Sequence, residues 1–124
     1  RSRGLGDVYK RQYLNGGLVI KHSANQKYTT DAVSAAVMRC LCERAGVPYQ
    51  EFLNRSDILG GSTLGNISNA QVSLNTVDIG LPQLAMHSPY ETAGSKDMAY
   101  MEKAFEEFFK SAIRAEGDGT LVLE

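Results

Sequence analysis

The sequence has no long hydrophobic run and no excess of charge of one sign. Its longest apolar stretches, such as residues 18–20 and 35–38, fall far short of the roughly 20 residues needed to span a bilayer. The chain has 13 lysines and arginines against 14 aspartates and glutamates, and no segment concentrates basic residues as a nucleic-acid-binding surface does. We therefore expect no membrane segment and no nucleic-acid partner.

Sulfur and imidazole groups are also scarce, since the chain has only Cys40, Cys42, His22 and His87. Residues two apart on a helix point in different directions, so the cysteines should not pair with each other. We predict two reduced thiols in a cytoplasmic protein. Two histidines without a spaced cluster of carboxylates or thiolates do not by themselves make a metal site, and His22 is assigned to the surface.

The beginning of the chain has neither a methionine nor the basic, apolar and small residues of a secretory signal. Residues 2–12 resemble the in-frame translation of a sequencing adaptor. We therefore predict that residues 1–12 are not native and that the natural protein continues upstream of Tyr13. Residues 13–114 are assigned to one folded portion, and residues 115–124 to a tail of uncertain origin.

Strand and helix signals follow one another along the chain. Residues 18–20 form a short apolar run after a glycine-rich turn, which suits a buried strand, and the polar residues 21–22 mark its end. Residues 49–54 and 73–79 can form two further strands. Together with the helices between and after them, these strands predict an α/β fold, with a small mixed sheet flanked by helices.

Three helices are predicted, two of them from capping residues at their starts. Residues 29–31 offer N-caps for a first helix that Gly46 closes. Ser88 begins a capping-box pattern with proline at the first helical position, and a last helix should run from about Lys96 to Arg114. Apolar residues at helical spacing predict the buried faces of the first and last helices: Val33, Ala36, Val37, Cys40 and Leu41 in the first, and Met98, Met101, Phe105, Phe108, Phe109 and Ala112 in the last.

Taken without a family, these residues say little about chemistry. His87 lies just before the helix predicted at Ser88, where a lone histidine usually has a structural role. The small-residue turn 60–65 could present backbone N–H groups to an anion, as an anion-binding transferase would require. However, it lacks the lysine that follows the glycines of a phosphate-binding loop. That hypothesis is therefore weak.

Several separated segments follow one family pattern in the same order. They are Val19–Tyr28, Asn54–Asp57, Gly61–Gly65, Thr76–Gly80 and Pro82–Ser88. Over residues 14–112 the chain resembles the C-terminal catalytic portion of aspartyl aminopeptidases, which are dinuclear zinc exopeptidases that assemble into dodecamers. The sequence Thr-Val-Asp-Ile-Gly followed by Pro-Gln-Leu-Ala-Met-His-Ser is specific to this pattern rather than a general α/β signature.

The resemblance implies roles for individual residues. His87 falls on the last zinc ligand of the family. Lys21 matches a lysine that contacts substrate and can neutralise an acidic side chain, which suits an ammonium at the end of a strand. Tyr28 matches a tyrosine near the scissile group, where a phenol can donate to a developing oxyanion.

Further residues are placed by the same resemblance. Gly61, Ser62 and Thr63 match a turn that lines the cleft, and Asp57 would brace that turn. The general base and the remaining ligands of two zinc ions have no counterpart here, and the resemblance places them upstream of this segment. A catalytic zinc needs about three protein ligands, so one imidazole cannot hold it.

The resemblance therefore predicts a zinc-dependent aminopeptidase that removes N-terminal residues, acidic ones in particular, from peptide substrates. It implies that the parent protein is a homo-dodecamer. The isolated segment is expected to be inactive because its ligand set is incomplete. The alternative is a non-catalytic relative that keeps the fold for assembly or binding.

Overall fold

The computed structural model describes residues 12–23, 30–54, 75–117 and 120–124. Among these residues it contains seven strands and two helices. In chain order they are β1 (Leu18–Ser23), α1 (Ala32–Ala45), β2 (Tyr49–Asn54), β3 (Ile79–Gly80), β4 (Gln83–Leu84), β5 (Thr92–Ala93), α2 (Ser95–Lys110), β6 (Ile113–Ala115) and β7 (Leu121–Leu123).

A three-stranded mixed sheet in the order β2-β1-β3 forms the centre of the described chain. Strand β1 pairs in parallel with β2 from Leu18 opposite Tyr49, and α1 connects the two strands along the chain. The short strand β3 pairs antiparallel with β1, with Gly80 opposite Val19. The predicted α/β fold with a small mixed sheet is confirmed, as are the bounds of β2.

Two strand predictions need correction. Strand β1 does not end at Lys21 and His22 but continues through both to Ser23, because β2 pairs with all six residues of β1. Ladder hydrogen bonds use the backbone, so polar side chains did not end the strand. The strand predicted at 73–79 is reduced to Ile79–Gly80: residues 75–78 are not in a strand, and residues 73–74 lie outside the described range.

Helix α1 begins and ends at local signals that the sequence carries. The Asp31 carboxylate accepts a hydrogen bond from the Ser34 N–H (2.7 Å), and the Ser34 hydroxyl oxygen accepts one from the Asp31 N–H (3.0 Å). This reciprocal pair satisfies donors that a helix start leaves open. At the other end Gly46 has a φ of 67°, the left-handed conformation that closes many helices.

The buried face of α1 differs from the predicted one. Leu41 is buried as expected, but Val33 is 46% exposed and Cys40 is exposed. Apolar residues occur on nearly every side of this helix, so spacing alone did not single out the face that meets the sheet. The residues of α1 that are buried are Ser34, Ala35, Met38, Leu41 and Cys42.

The two cysteines lie in different surroundings. Cys42 is in the core, where burial, with a smaller contribution from the charge of Glu43, raises the pKa of its thiol to about 11. Cys40 is exposed, and neither thiol is in a disulfide. Because the thiolate is the reactive form, Cys40 is the thiol available to modifying reagents.

The buried cluster that both helices share lies on one face of the sheet, although Val19 on the other face is fully buried as well. Leu18 and Ile20 of β1 form a buried cluster with the inner face of α1 and with Val47, which follows α1. Ala104 of α2 joins the same cluster. Both helices therefore contribute to the same core. Neither described helix is long and apolar enough to cross a membrane.

Helix α2 differs from the prediction at its ends and on its face. It runs from Ser95 to Lys110 rather than to Arg114, because the chain turns extended at Ser111 and Ile113 begins β6. The stripe predicted to be core is largely exposed: Met98 is 62% exposed and Phe109 is 81% exposed. The stripe is helical as predicted, but of its residues only Met101 packs against the core.

Two paired strands, β6 and β7, lie within residues 113–117 and 120–124, most of which were assigned to a tail. Strand β6 pairs antiparallel with β7, with Ile113 opposite Leu123. Leu123 packs against the core, and its carbonyl accepts a hydrogen bond from the Arg44 guanidinium at the end of α1 (2.9 Å). Whether these residues are native stays a prediction, but they are part of the fold described here.

Candidate functional site

Lys21 lies on the face of β1 that points away from the helices. Successive side chains of a strand point to opposite faces of its sheet. Leu18 and Ile20 pack into the core with α1, so Val19 and Lys21 point the other way. Lys21 is half-buried, and its backbone N–H donates to the carbonyl of Asp78 (2.9 Å). The core on one face thus fixes which face carries the ammonium.

Hydrogen bonds join Lys21 to Asp78, which lies in the Thr76–Gly80 segment of the family pattern, and join Asp78 to Thr30. The N–H of Asp78, whose carbonyl receives the Lys21 N–H, donates to the hydroxyl oxygen of Thr30 (2.8 Å). Thr30 lies two residues after Tyr28, which is outside the described residues. The end of β1, the approach to α1 and the chain that enters β3 therefore meet at one place.

Gly80 lies directly against the Lys21 side chain. A Cβ atom on Gly80 would stand 2.9 Å from Cε of Lys21 and 3.2 Å from its Nζ. Real Cβ atoms essentially never approach a neighbour that closely. The missing side chain at position 80 therefore leaves the space that the Lys21 ammonium group occupies.

We expect Gly80→Ala to displace the Lys21 ammonium with little loss of stability. The atoms that would clash form the far end of a flexible side chain, which can rotate away. Side-chain NMR of Lys21 should show a changed Cε and Nζ environment, with the melting temperature lowered by less than about 4 °C. A Gly46→Ala variant is the control, because that glycine has open space around it but a positive φ. It should destabilise the chain and leave Lys21 unchanged.

His87 lies in the turn 85–91 that joins β4 to β5. We call residues 83–93 the His87 hairpin: Gln83 pairs with Ala93 and Leu84 with Thr92. This corrects the helix predicted to start at Ser88. The Ser88 carbonyl does accept the N–H of Glu91 (3.1 Å), but one such turn is not continued because the chain then pairs as β5. Serine makes similar local hydrogen bonds in turns and at helix starts, which explains the error.

The backbone of the turn is unusual at His87. His87 has a φ of 67° and Ala85 a φ of 51°, both in the left-handed region that residues other than glycine rarely adopt. The Ser88 N–H donates to the Ala85 carbonyl across the turn (3.1 Å). Such strain persists where the surroundings impose it and is concentrated at functional sites. The exposed imidazole of His87 is therefore a good candidate for a functional group.

Zinc is the metal that the family pattern implies, and the described residues fit it only in part. Among them, no group of three or more histidine, cysteine, aspartate or glutamate side chains is close enough to hold a metal ion. His87 is one exposed nitrogen donor on a defined turn. The described part of the chain therefore offers one ligand and does not form a complete site.

The remaining predicted site residues lie outside the described ranges. They are Tyr28, Asp57, Gly61, Ser62 and Thr63. The small-residue turn 60–65, on which the anion-binding hypothesis depends, lies there too. Their assigned roles stay predictions.

His22 is not the surface residue that its sequence position suggested. It lies on β1, two residues after Ile20 and on the same face, and it is half-buried. Its Nε2 atom is buried and has no hydrogen-bond partner within the part of the chain that the structure describes. The polar sequence around it gave no sign of this burial.

Comparison with known proteins decides the family. Residues 7–109 match the model of the family described as aminopeptidase I zinc metalloprotease (M18). The chain belongs to the M18 family. This confirms the predicted resemblance. The match begins at residue 7, inside the segment assigned to an adaptor, so the boundary of that segment stays a prediction.

Curated relatives of this M18 chain carry the same family name. A probable M18 family aminopeptidase 2 from Clostridium acetobutylicum is 53% identical over 103 residues, which is 83% of this chain and 24% of the relative. The chain thus spans about a quarter of the length of such relatives.

Solved structures of M18 relatives share the fold. A chain of the Ape4 and Nbr1 complex, determined by cryo-electron microscopy, matches with a TM-score of 0.75 and 42% identity, covering 79% of this chain and 19% of its own. A chain of the S. cerevisiae mApe1 dodecamer matches with a TM-score of 0.69 and 31% identity, covering 82% and 22%. The described elements therefore correspond to part of an M18 aminopeptidase fold.

Proposed function

We propose that the protein containing this M18 chain is a zinc-dependent aminopeptidase that removes N-terminal residues, acidic ones in particular, from peptides. The observation that carries the proposal is the meeting of three segments at Lys21. Its backbone bonds to Asp78, Asp78 bonds to Thr30, and Gly80 makes room for the ammonium. The family membership supports the reaction class.

Lys21 would recognise the acidic side chain of the substrate. The ammonium is held on the outer face of β1, and the core on the other face keeps the strand in register. A lysine presents a compact positive charge, which a carboxylate can use and a neutral side chain cannot. Selectivity for aspartate and glutamate would then come from a charge placed by the fold.

His87 would supply one ligand to zinc. In this family of zinc metalloproteases the metal, when bound, polarises the substrate carbonyl and lowers the pKa of water. The turn 85–91 presents the His87 imidazole on an exposed hairpin, where other parts of a longer protein can reach it. The general base and the other ligands would lie in those parts, so this chain alone would be inactive.

We also propose a homo-oligomeric parent, a dodecamer in its complete form, acting in the cytoplasm. Support for the assembly comes from a structural relative, the mApe1 protein of S. cerevisiae, which was solved as a dodecamer. The exposed thiol of Cys40 is compatible with a reducing compartment.

A chimaera tests the proposed reaction. The matching 103 residues of the C. acetobutylicum relative would be replaced by those of this chain, giving the chimaeric aminopeptidase. With zinc it should hydrolyse an aspartyl anilide faster than a leucyl anilide, and a chelator should stop both reactions. This chain alone should cleave neither substrate and should retain no stoichiometric zinc after gel filtration. A correctly assembled but inactive chimaera would favour a non-catalytic relative, and equal rates on the two anilides would remove the acidic preference.

A further inference from the structure

The start of α2 and the turn before β1 are joined by a set of hydrogen bonds that no sequence motif indicated. The Asp97 carboxylate accepts the backbone N–H of Asn15 (2.8 Å) and that of Gly17 (2.9 Å). In return, the side-chain oxygen of Asn15 accepts the N–H of Lys96 (3.0 Å). We call these four residues the Asn15–Asp97 clasp. It resembles a capping box, but its two halves are about 80 residues apart.

Asp97 and Gly17 of the clasp are buried, whereas Asn15 and Lys96 are exposed. Asp97 is fully buried, and the positive end of the α2 dipole favours its negative charge. Gly94 is buried beside it, and a Cβ at that position would overlap Asn15 and Asp97. Asn15 has a φ of 60°, which asparagine tolerates better than most residues. A buried charged group of this kind costs free energy unless it is hydrogen-bonded, so the Asp97 carboxylate depends on the N–H groups of Asn15 and Gly17.

The clasp lies at one end of the His87 hairpin. Every residue of the hairpin is exposed except Ser88, which is half-buried, so the hairpin has almost no core of its own. A two-stranded hairpin of this kind is only marginally stable in water. Its first end follows β3, which pairs with β1, and the buried Pro82. Its second end reaches the buried Gly94. Both ends are thus attached to β1 or to the turn before it.

We infer that Asp97, together with Asn15, is a positioning residue for His87. The clasp fixes the second end of the His87 hairpin against the turn that leads into β1, the strand that carries Lys21. The candidate metal ligand and the candidate recognition residue therefore hold their relative places through a contact remote from both. The catalytic meaning of this inference rests on the proposed function, but the contact can be tested without activity.

The experiment uses the 124-residue chain and NMR-detected amide hydrogen exchange. In Asp97→Asn, amides of the His87 hairpin should exchange at least roughly tenfold faster, while those of α1 and β2 change less than about threefold. The matched control is Asp31→Asn, which alters the local capping box of α1. It should speed exchange in the first turn of α1 and leave the hairpin unchanged.

A second readout separates positioning from stability. A nitroxide attached to the exposed Cys40 broadens amide signals according to their distance from α1. Asp97→Asn should change this broadening in the His87 hairpin and not in β1 or β2. If Asp97→Asn fails to fold, Asn15→Gly replaces it, because glycine tolerates the positive φ and only the Lys96 hydrogen bond is lost.

Uniform acceleration of exchange across the chain, with unchanged broadening in the hairpin, would mean that the clasp only stabilises the fold and would overturn the inference. An unaltered hairpin in both variants would overturn it as well. Neither measurement involves zinc or substrate. The inference about Asp97 and the proposed role of His87 can therefore fail independently.

Discussion

Replacing His87 with alanine in the chimaeric aminopeptidase is expected to abolish turnover of acidic and neutral substrates alike. One ligand fewer weakens the zinc site that both substrate classes need. A fall in kcat/KM of about 1,000-fold or more, roughly 4 kcal/mol of transition-state stabilisation, would be measured with aspartyl and leucyl anilides. Zinc content after dialysis should fall in parallel.

Two variants control for the backbone of the turn. Asparagine tolerates the left-handed conformation, so His87→Asn should preserve the turn. Its activity should still be lost, because the imidazole is gone. Met86→Ala changes an exposed neighbour in the same turn and should retain activity. Normal zinc content and turnover in His87→Ala would show that His87 is not a ligand.

Replacing Lys21 with methionine should damage selectivity rather than chemistry. Binding an acidic side chain without a counter-charge costs several kcal/mol of desolvation free energy. We expect kcat/KM for aspartyl and glutamyl substrates to fall roughly 100-fold or more, with leucyl substrates much less affected. Methionine keeps the length and the apolar stem of lysine, so the packing around Gly80 should be preserved.

The comparison of substrates decides this prediction. Lys21→Arg is the informative second variant, because it keeps the charge but presents a larger planar group against Gly80. It should retain part of the acidic preference. Equal losses on acidic and neutral substrates in Lys21→Met would mean that Lys21 is structural.

Capping residues in the sequence predicted the ends of α1 correctly. Asp31 and Gly46 mark the two ends of α1, and both marks were correct because each acts within a few residues of itself. Ser88 gave an equally local signal that failed. Its turn forms, but pairing of Thr92 with Leu84 directs the chain into a hairpin, and that contact is not local.

Other features depended on distant partners. Asp97 looks like an ordinary acidic residue in the first turn of a helix, and nothing near it indicates that it binds the backbone at Asn15. The apolar stripe of α2 predicts a face to be covered but not what covers it, and Phe109 is mostly exposed among the described residues. For the site, the family motifs identified His87 and Lys21. The hairpin that carries His87 and the extension of β1 through Lys21 to Ser23 were not predicted, because both depend on pairing with another strand.

Side chains along β1 alternate between the two faces of the sheet, and this alternation limits which mutations the strand tolerates. Leu18 and Ile20 point into the core, and Lys21 points the other way. A one-residue slip of this strand would send the ammonium into the core and move Ile20 to the opposite face of the sheet. A single insertion between Gly17 and Lys21 is therefore expected to be far more harmful than most substitutions there. The hydrophobic core therefore sets the register of β1, and this register keeps Lys21 on the opposite face of the strand.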